Sequence, residues 1–196
     1  MKTRITVAAM TAAALVAIPT AAMAAPGGQG GPNGKGGAAA TQQRSGDCTR
    51  TEVSVGTLTE SQLATLKSMA EEEKLAHDVY VALDEEFGGV VFERIAASEA
   101  KHLNALRRLM ARYDVADPTA GMADGEFASD SVKQLYDELL AKATTLEEAM
   151  AVGADIERMD IADLKDAIAD ATQRDLKRVY NNLLRGSQRH LVAFTR

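Results

Sequence analysis

The sequence has very little of the material from which disulfide frameworks, multi-cysteine metal sites or aromatic surfaces are made. Its 196 residues include one cysteine and no tryptophan, and only 4% are aromatic. A single cysteine excludes an intramolecular disulfide and every zinc pattern that needs several cysteines. Basic residues are also the minority, with 22 Lys and Arg against 28 Asp and Glu. Since no stretch resembles a basic face, we expect no nucleic-acid partner.

Long apolar runs are missing beyond residue 25, so we expect no membrane span in the mature protein. The N-terminus differs. Lys2 and Arg4 precede an uncharged stretch over 5–18, and Ala22-Met23-Ala24 provides the small residues of a signal-peptidase site. This pattern predicts a signal peptide over 1–24, cleaved after Ala24, and a secreted, periplasmic or otherwise extracytoplasmic protein. An uncleaved membrane anchor is the alternative.

Residues 25–56 contain nine of the fifteen glycines. Such a stretch cannot bury enough apolar surface to offset the entropy lost on ordering, so it predicts a flexible Gly/Ala-rich linker. Cys48 lies within this stretch, and it could form an intermolecular disulfide or be an incidental thiol. The folded domain is therefore expected over 57–196, with a formal net charge of −9.

The domain has helical periodicity throughout. Apolar residues recur at steps of three and four in four long segments and one shorter segment, and no segment shows the alternation typical of strands. Thr59 and Thr145 begin capping boxes, and Gly88-Gly89 ends the first helix. Residues 114–130 are expected to form a loop or long crossover, and the third long helix to break near Ile161. The pattern predicts an all-α fold, a four-helix bundle with one short extra helix.

Five polar residues stand on the otherwise apolar helix faces: Glu73, Glu99, His102, Glu157 and His190. Each unpaired carboxylate costs several kcal/mol to bury, and no Lys or Arg shares these faces. Other charged residues, such as Glu72 and Lys74, fall off the apolar faces and are expected to be solvated. A bound cation would stabilise the five polar residues together. A polar core without metal is the alternative.

The spacing of these residues indicates a dinuclear site. Glu99 and His102 are three residues apart and project from one helix turn. Dinuclear carboxylate sites in bundles take a Glu from each of two helices and Glu-x-x-His from each of the other two. Here the fourth helix has Ser187 in place of the second motif's Glu. Asp160, three residues after Glu157, faces the same way and could replace it, or it could be a helix-terminal acid outside the site.

Four blocks of the domain carry a family resemblance: EEEKLAHDVY (71–80), AASEAKHLNAL (96–106), GADIERMDIADL (153–164) and RGSQRHLVAF (185–194). They resemble an uncharacterised prokaryotic ferritin-like family, the domain of unknown function numbered 2202, over about residues 58–195. Glu73, Ala76 and Tyr80 are also similar to the first-helix motif of rubrerythrin-type proteins, although the chain lacks their four-cysteine module. The resemblance implies a ferritin-like fold with a metal site, and it implies no settled reaction.

Carboxylate and imidazole ligands suit iron, manganese or zinc, and two ions are expected, with iron preferred. The leading hypothesis is an extracytoplasmic di-metal oxidoreductase, either a ferroxidase or a peroxide-reducing enzyme, acting on O2 or peroxide. Tyr80 is then a donor beside the ligands or a radical relay; otherwise it is a core aromatic with its hydroxyl satisfied. The competing hypothesis is a metal-binding or partner-binding bundle without turnover. The oligomeric state is open, with a homodimer among the options.

Two further side chains are assigned to the surface. His77 lies on the flank of the apolar face of the first helix, and Asp163 is the other. The converging glutamates should repel one another without metal, which raises at least one pKa. We therefore expect Glu99→Gln to stabilise the metal-free protein, and Glu72→Gln to change nothing.

Overall fold

A computed structural model describes residues 56–196, so the predicted signal peptide and all but the last residue of the predicted linker lie outside the described residues. The described chain forms five helices, which are α1 (Glu60–Phe87), α2 (Val90–Tyr113), α3 (Asp130–Lys142), α4 (Leu146–Asp170) and α5 (Arg174–Phe194). It contains no strand between residues 56 and 196, which confirms the all-α prediction there. None of these helices is long and apolar enough to cross a membrane.

The predicted helix boundaries follow from local capping. Thr59 and Gln62 form the expected reciprocal capping box at the start of α1. The helix ends at Gly88, whose φ of 66° is a left-handed conformation that glycine adopts without strain. At the start of α4, Thr145 accepts from the backbone of Glu148, but the Glu148 side chain reaches back to the backbone of Thr144 instead.

Helix α4 runs without interruption from Leu146 to Asp170, so the predicted break near Ile161 is wrong. The buried stripe continues through this point, because Ile156, Leu164 and Ala167 are all buried. A continuous apolar stripe stabilises a continuous helix by tertiary packing.

The four long helices form a closed ring of neighbours, in which α1 packs on α2, α2 on α5, α5 on α4, and α4 on α1. Neighbours run antiparallel. The side chain of Gln62, at the start of α1, donates to the backbone carbonyl of Asp170, at the end of α4, at 2.9 Å. Similarly, the Tyr113 hydroxyl, at the end of α2, donates to Oδ1 of Asp175, at the start of α5, at 2.6 Å.

This arrangement makes α2 and α4 run in the same direction, so the chain must travel the length of the molecule between them. Residues 114–129 and α3 make that crossover, and α3 packs on the outside of α1 and α4. The loop predicted over 114–130 is confirmed, apart from its last residue, which begins α3.

The crossover is held by a buried ion pair that sequence reasoning missed. Lys74 was expected to be solvated, but it is 4% exposed and donates to Asp78 and to the carbonyl of Ala123. Asp78 also accepts from the backbone of Gly125. Lys74 is buried because the crossover covers it, and periodicity within α1 does not report on that contact.

Two separate apolar clusters form the core, one toward each end of the long helices. The first includes Val79, Leu83 and Phe92, and the second includes Leu66, Leu106 and Leu176. The residues between them along each helix are those singled out as polar interruptions of the apolar stripes. The fold therefore places a polar layer across the middle of the four long helices.

Charge is distributed unevenly over the described surface. Helix α2, together with residues 174–196, holds eleven Lys and Arg against three Asp and Glu. The remaining residues of 56–196 hold six against twenty-three. The expectation that the chain presents no basic face is therefore wrong, because two helices that are distant in sequence pack side by side and pool their basic residues.

Candidate metal centre

All four long helices contribute to the polar layer. Helix α1 supplies Glu73, α2 supplies Glu99 and His102, α4 supplies Glu157, and α5 supplies His190. The three glutamates are each 2% exposed, and the two histidine side chains are 12% and 10% exposed. The structure thus brings together five of the six residues predicted as metal ligands, in a layer where apolar clusters on both sides limit access of water.

Glu99 lies at the centre of this layer. Its Oε2 lies 2.6 Å from Nδ1 of His102, and its Oε1 lies 2.6 Å from Nδ1 of His190. Oε2 of Glu73 lies 3.3 Å from Nδ1 of His102, and Oε1 of Glu157 lies 3.6 Å from Nδ1 of His190. The result is two groups of three potential ligands, Glu73–Glu99–His102 and Glu99–Glu157–His190, which share Glu99.

The short distances around Glu99 are not hydrogen bonds. Nδ1 of His102, Nδ1 of His190 and Oε1 of Glu99 are buried, and none has a hydrogen-bond partner of acceptable direction. Oε1 of Glu73 is also buried without a partner. Buried polar atoms are almost always paired, so four orphaned atoms in one layer require an explanation. Atoms that converge on a common metal-binding point, and not on one another, would be close together without forming hydrogen bonds.

Asp160, the sixth predicted ligand, belongs to neither group of three. It lies beside the layer, where its Oδ1 is buried without a partner. Burial raises the pKa of Asp160 well above its usual value, and the negative charges of Glu99 and Glu157 add to the rise. Ser187 itself is fully buried and donates to the carbonyl of Leu183 at 3.0 Å.

Tyr80 contacts the layer from the side of the first apolar cluster. Its ring is fully buried against Phe194, and its hydroxyl donates to Oε1 of Glu157 at 2.8 Å. Tyr80 is therefore a core aromatic residue whose hydroxyl group donates its hydrogen bond to a candidate ligand. Burial, followed by the charges of Glu157 and Glu99, raises the pKa of Tyr80 well above its usual value, so this hydroxyl is a donor at neutral pH.

The pKa values of the carboxyl groups in the layer are shifted in different directions. Burial raises the pKa of Glu73 well above its usual value, and repulsion by Asp160 and Glu99 adds to the rise. Burial also raises the pKa of Glu157, against the opposing contact with His190. For Glu99 burial is again the largest influence, but contacts with the two histidines outweigh it and lower the pKa to about 2.

The pKa of His190 is raised, whereas the pKa of Glu99 is lowered. Burial would lower the pKa of His190, but Glu157 and Glu99 outweigh it and raise the pKa to about 9. The negative charge of Glu99 is therefore compensated, whereas that of Glu73 is not. These pKa directions oppose the expectation that Glu99→Gln stabilises the metal-free protein, and they favour that outcome for Glu73→Gln instead.

Of the residues that the sequence assigned to the surface, some are exposed and others are partly buried. His77 is partly exposed and Asp163 is exposed, as predicted. His77, Asp78 and Asp124 approach one another closely enough to be considered as ligands, but both oxygens of Asp78 are already engaged by His77, Lys74 and Gly125. Glu72 is half-buried, and burial with the nearby Asp163 raises its pKa to about 7, so it is not a silent control.

Gly186 is a site residue whose role sequence reasoning missed. It leaves room for His102, because a Cβ on Gly186 would lie 2.5 Å from Cε1 and Nε2 of that ring. The imidazoles of His102 and His190 stack nearby, with ring centroids 5.5 Å apart. The only signal in the sequence was a glycine one turn before His190, in the middle of a helix that glycine destabilises.

The chain is similar to proteins that have no assigned activity. The family model described as Uncharacterized protein domain (DUF2202) matches residues 62–196. The Uncharacterized protein MJ0754 of Methanocaldococcus jannaschii is 39% identical over 140 residues, which is 71% of this chain and 76% of that protein. The crystal structure of hypothetical protein MJ0754 from Methanococcus jannaschii DSM 2661 aligns with a TM-score of 0.70 and 38% identity, covering 71% of this chain and 81% of that one. On these matches, the chain belongs to the family defined by the uncharacterized domain DUF2202.

Proposed function

We propose that the domain is a ferritin-like four-helix bundle that binds two metal ions at its polar layer. The observation that carries this proposal is the pair of ligand groups that share Glu99, with their imidazole nitrogens orphaned at 2.6 Å from its two carboxylate oxygens. A metal-free polar core would be expected to align these atoms as hydrogen bonds, because the cost of leaving them unpaired is large.

The donor set fits two divalent cations in type and in charge. Glu73 and His102 would hold one ion and Glu157 and His190 the other, and Glu99 belongs to both groups of potential ligands. The three glutamates of the donor set, together with Asp160 beside it, carry four negative charges when ionised, which two divalent ions balance. Oxygen and imidazole ligands suit iron, manganese or zinc, and we propose iron as the native metal.

An iron pair at this layer would supply electrons to O2 or peroxide, which makes a ferroxidase or peroxide-reducing oxidoreductase the proposed activity. The chain's own contribution is restriction and orientation. The histidine side chains, at 12% and 10%, are the most exposed of these residues, so the layer has little contact with solvent. The neutral Tyr80 hydroxyl donates a hydrogen bond to Glu157 and so holds that carboxylate in orientation. The predicted signal peptide would place this chemistry outside the cytoplasm.

A metal-binding module without turnover is the alternative function, and the deep burial of the glutamates favours it. The two proposals share the metal site and differ in redox chemistry. Zinc, which has no redox chemistry, would support the alternative, whereas an iron pair that absorbs in the visible would support the oxidoreductase.

The deciding experiment measures metal content, visible absorption and melting temperature of the purified chain, with chelator and then with Fe²⁺, Mn²⁺ or Zn²⁺. We expect about two ions per chain, and a rise in stability of about 2.7 kcal/mol for each site at a hundredfold excess over its Kd. Glu99→Gln should abolish that rise. Glu93→Gln, an exposed glutamate on the same helix, should retain it.

The activity is tested on the iron-loaded chain by following Fe²⁺ oxidation with O2 and with peroxide. Oxidation that is lost in Glu99→Gln and kept in Glu93→Gln supports the oxidoreductase. Metal binding without oxidation supports the module without turnover. If no metal raises the melting temperature of the unaltered chain, both proposals fail.

A further inference from the structure

Helices α2 and α5 each carry a row of exposed basic side chains along their outer face. At 100° per residue, Arg94, Lys101, Arg108 and Arg112 fall within an arc of about 40° on α2. On α5, Arg174, Arg178, Arg185 and Arg189 fall within about 60°. All eight are exposed, and so is Arg196, which lines a surface groove together with Arg185 and Arg189.

The two rows lie side by side, because α2 and α5 are neighbours in the ring. Arg112 and Asp175 form an ion pair across them at 2.9 Å, and it is the only ion pair that either row makes within the described chain. Glu93 is the only fully exposed acid on the two helices. This basic face, defined by the two rows and Arg196, therefore has its positive charge almost unneutralised by the protein.

Exposed apolar residues also lie on the basic face. Val90 begins α2 on the same arc as its basic row and is 57% exposed, and Val192 lies on the α5 arc and is 46% exposed. Since the two helices are antiparallel, the start of α2 and the end of α5 lie at the same end of the molecule. Two of the three large apolar side chains that the structure describes as exposed are thus grouped at one end of the basic face.

We propose that the basic face binds the surface of an anionic lipid bilayer. Two neighbouring rows of exposed basic side chains, most of them arginines, attract anionic headgroups, and arginine pairs well with phosphate oxygens. The adjacent valines suit the boundary between headgroups and acyl chains. This binding orients the molecule, because the acidic helices α1 and α4 then face away from the bilayer.

Two other partners fit the basic face less well. A single-stranded nucleic acid is bound by aromatic side chains that stack on its bases, and neither row contains an aromatic residue. A second copy of the chain offers acidic α1 and α4, but α3 packs on the outside of both helices and interrupts that surface. Neither partner makes use of the exposed valines.

The test is sedimentation of the full chain with phosphatidylcholine vesicles that contain or lack phosphatidylglycerol. We expect binding only to the vesicles with phosphatidylglycerol, and its loss at high salt. Replacing Arg178, Arg185 and Arg189 together with Gln should weaken this binding about a hundredfold. Any contribution of residues 1–55 is the same in every variant and cancels in the comparison.

The matched control replaces Lys133, Arg158 and Lys165 with Gln, three exposed basic residues outside the basic face, for the same change in net charge. This variant should bind like the unaltered chain. Equal loss in both variants, or equal binding to neutral vesicles, would overturn the proposal. So would tighter binding to DNA than to the anionic vesicles, or a salt-sensitive oligomer that the arginine variant dissociates in the absence of vesicle binding. Because these readouts need no metal, they are independent of the proposed activity.

Discussion

Gly186 faces the imidazole of His102 so closely that any side chain at residue 186 would displace that ring. The Cβ of an alanine there would lie 2.5 Å from Nε2. Glycine in a helix interior costs about 0.5–1 kcal/mol relative to alanine. The fold accepts that cost at the position where α5 crosses the candidate metal ligands of α2.

The first prediction follows from this contact. Gly186→Ala should destabilise the protein by about 1–3 kcal/mol, because the strain of displacing His102 exceeds the gain in helix propensity. It should also lower metal stoichiometry, measured by elemental analysis. Gln188→Ala, at an exposed position on the same helix, is the control and should change neither quantity. A Gly186→Ala protein that is more stable and binds the same metal would contradict the close contact.

The second prediction separates Glu73 from Glu99. In chelator, Glu73→Gln should raise the melting temperature, because burial favours the protonated form of Glu73 and this costs stability above the ordinary pKa of a glutamate, a cost that glutamine does not have. Glu99→Gln should lower stability by about 1–3 kcal/mol, because it removes the negative charge that faces the two imidazoles. With saturating metal, both variants should be less stable than the unaltered chain. Thermal melts of the two variants in both conditions check this sign change, and identical responses in chelator would refute it.

The third prediction concerns pH. The pKa of His190 is raised from 6.5 to about 9 in the folded protein, so its contribution to stability is complete below pH 6.5 and is lost as the pH rises through about 9. The raised pKa of Glu73 acts in the same direction. Glu99 acts oppositely, and its contribution is lost as the pH falls from 4.5 toward about 2.

The metal-free protein should therefore be most stable at mildly acidic pH and lose stability between pH 6.5 and 9. Melting curves in chelator across this window measure the loss, and His190→Gln should make it shallower. Saturating metal should oppose the loss, because metal binding displaces protons and strengthens as the pH rises. A metal-free melting temperature that rises across the window would show that Glu157 and Glu99 do not raise the pKa of His190.

The fourth prediction concerns the crossover. Lys74→Ala should destabilise the protein by about 3–5 kcal/mol, since it leaves Asp78 buried without its cation. Limited proteolysis should then cut near residues 121–126, which Lys74 and Asp78 hold. Lys133→Ala removes another ion pair of the same spacing, from an exposed pair on α3, and should cost about 0.3–0.5 kcal/mol. Similar effects of the two substitutions would exclude the buried ion pair.

The helices and the polar interruptions of their apolar faces were predictable from the sequence. Both depend on the 3.6-residue period and on capping, which are local properties of a segment. Thr59 and Gly88 mark the ends of α1 in this way. The same reasoning selected Glu73, Glu99, His102, Glu157 and His190, because a charged residue on an apolar stripe can be recognised without knowing which helix it faces.

Only the tertiary structure decided how these residues relate to one another. The position of Glu99 between two imidazoles, the exclusion of Asp160 from both ligand groups and the burial of Lys74 depend on distances between helices, and periodicity within a helix carries no such distances. The basic face arises in the same way, since α2 and α5 are separated by sixty residues of sequence and become neighbours only in the fold. The apolar face of a helix depends only on the residues of that helix. The pKa values, the shared candidate ligand and the basic face depend on contacts between helices.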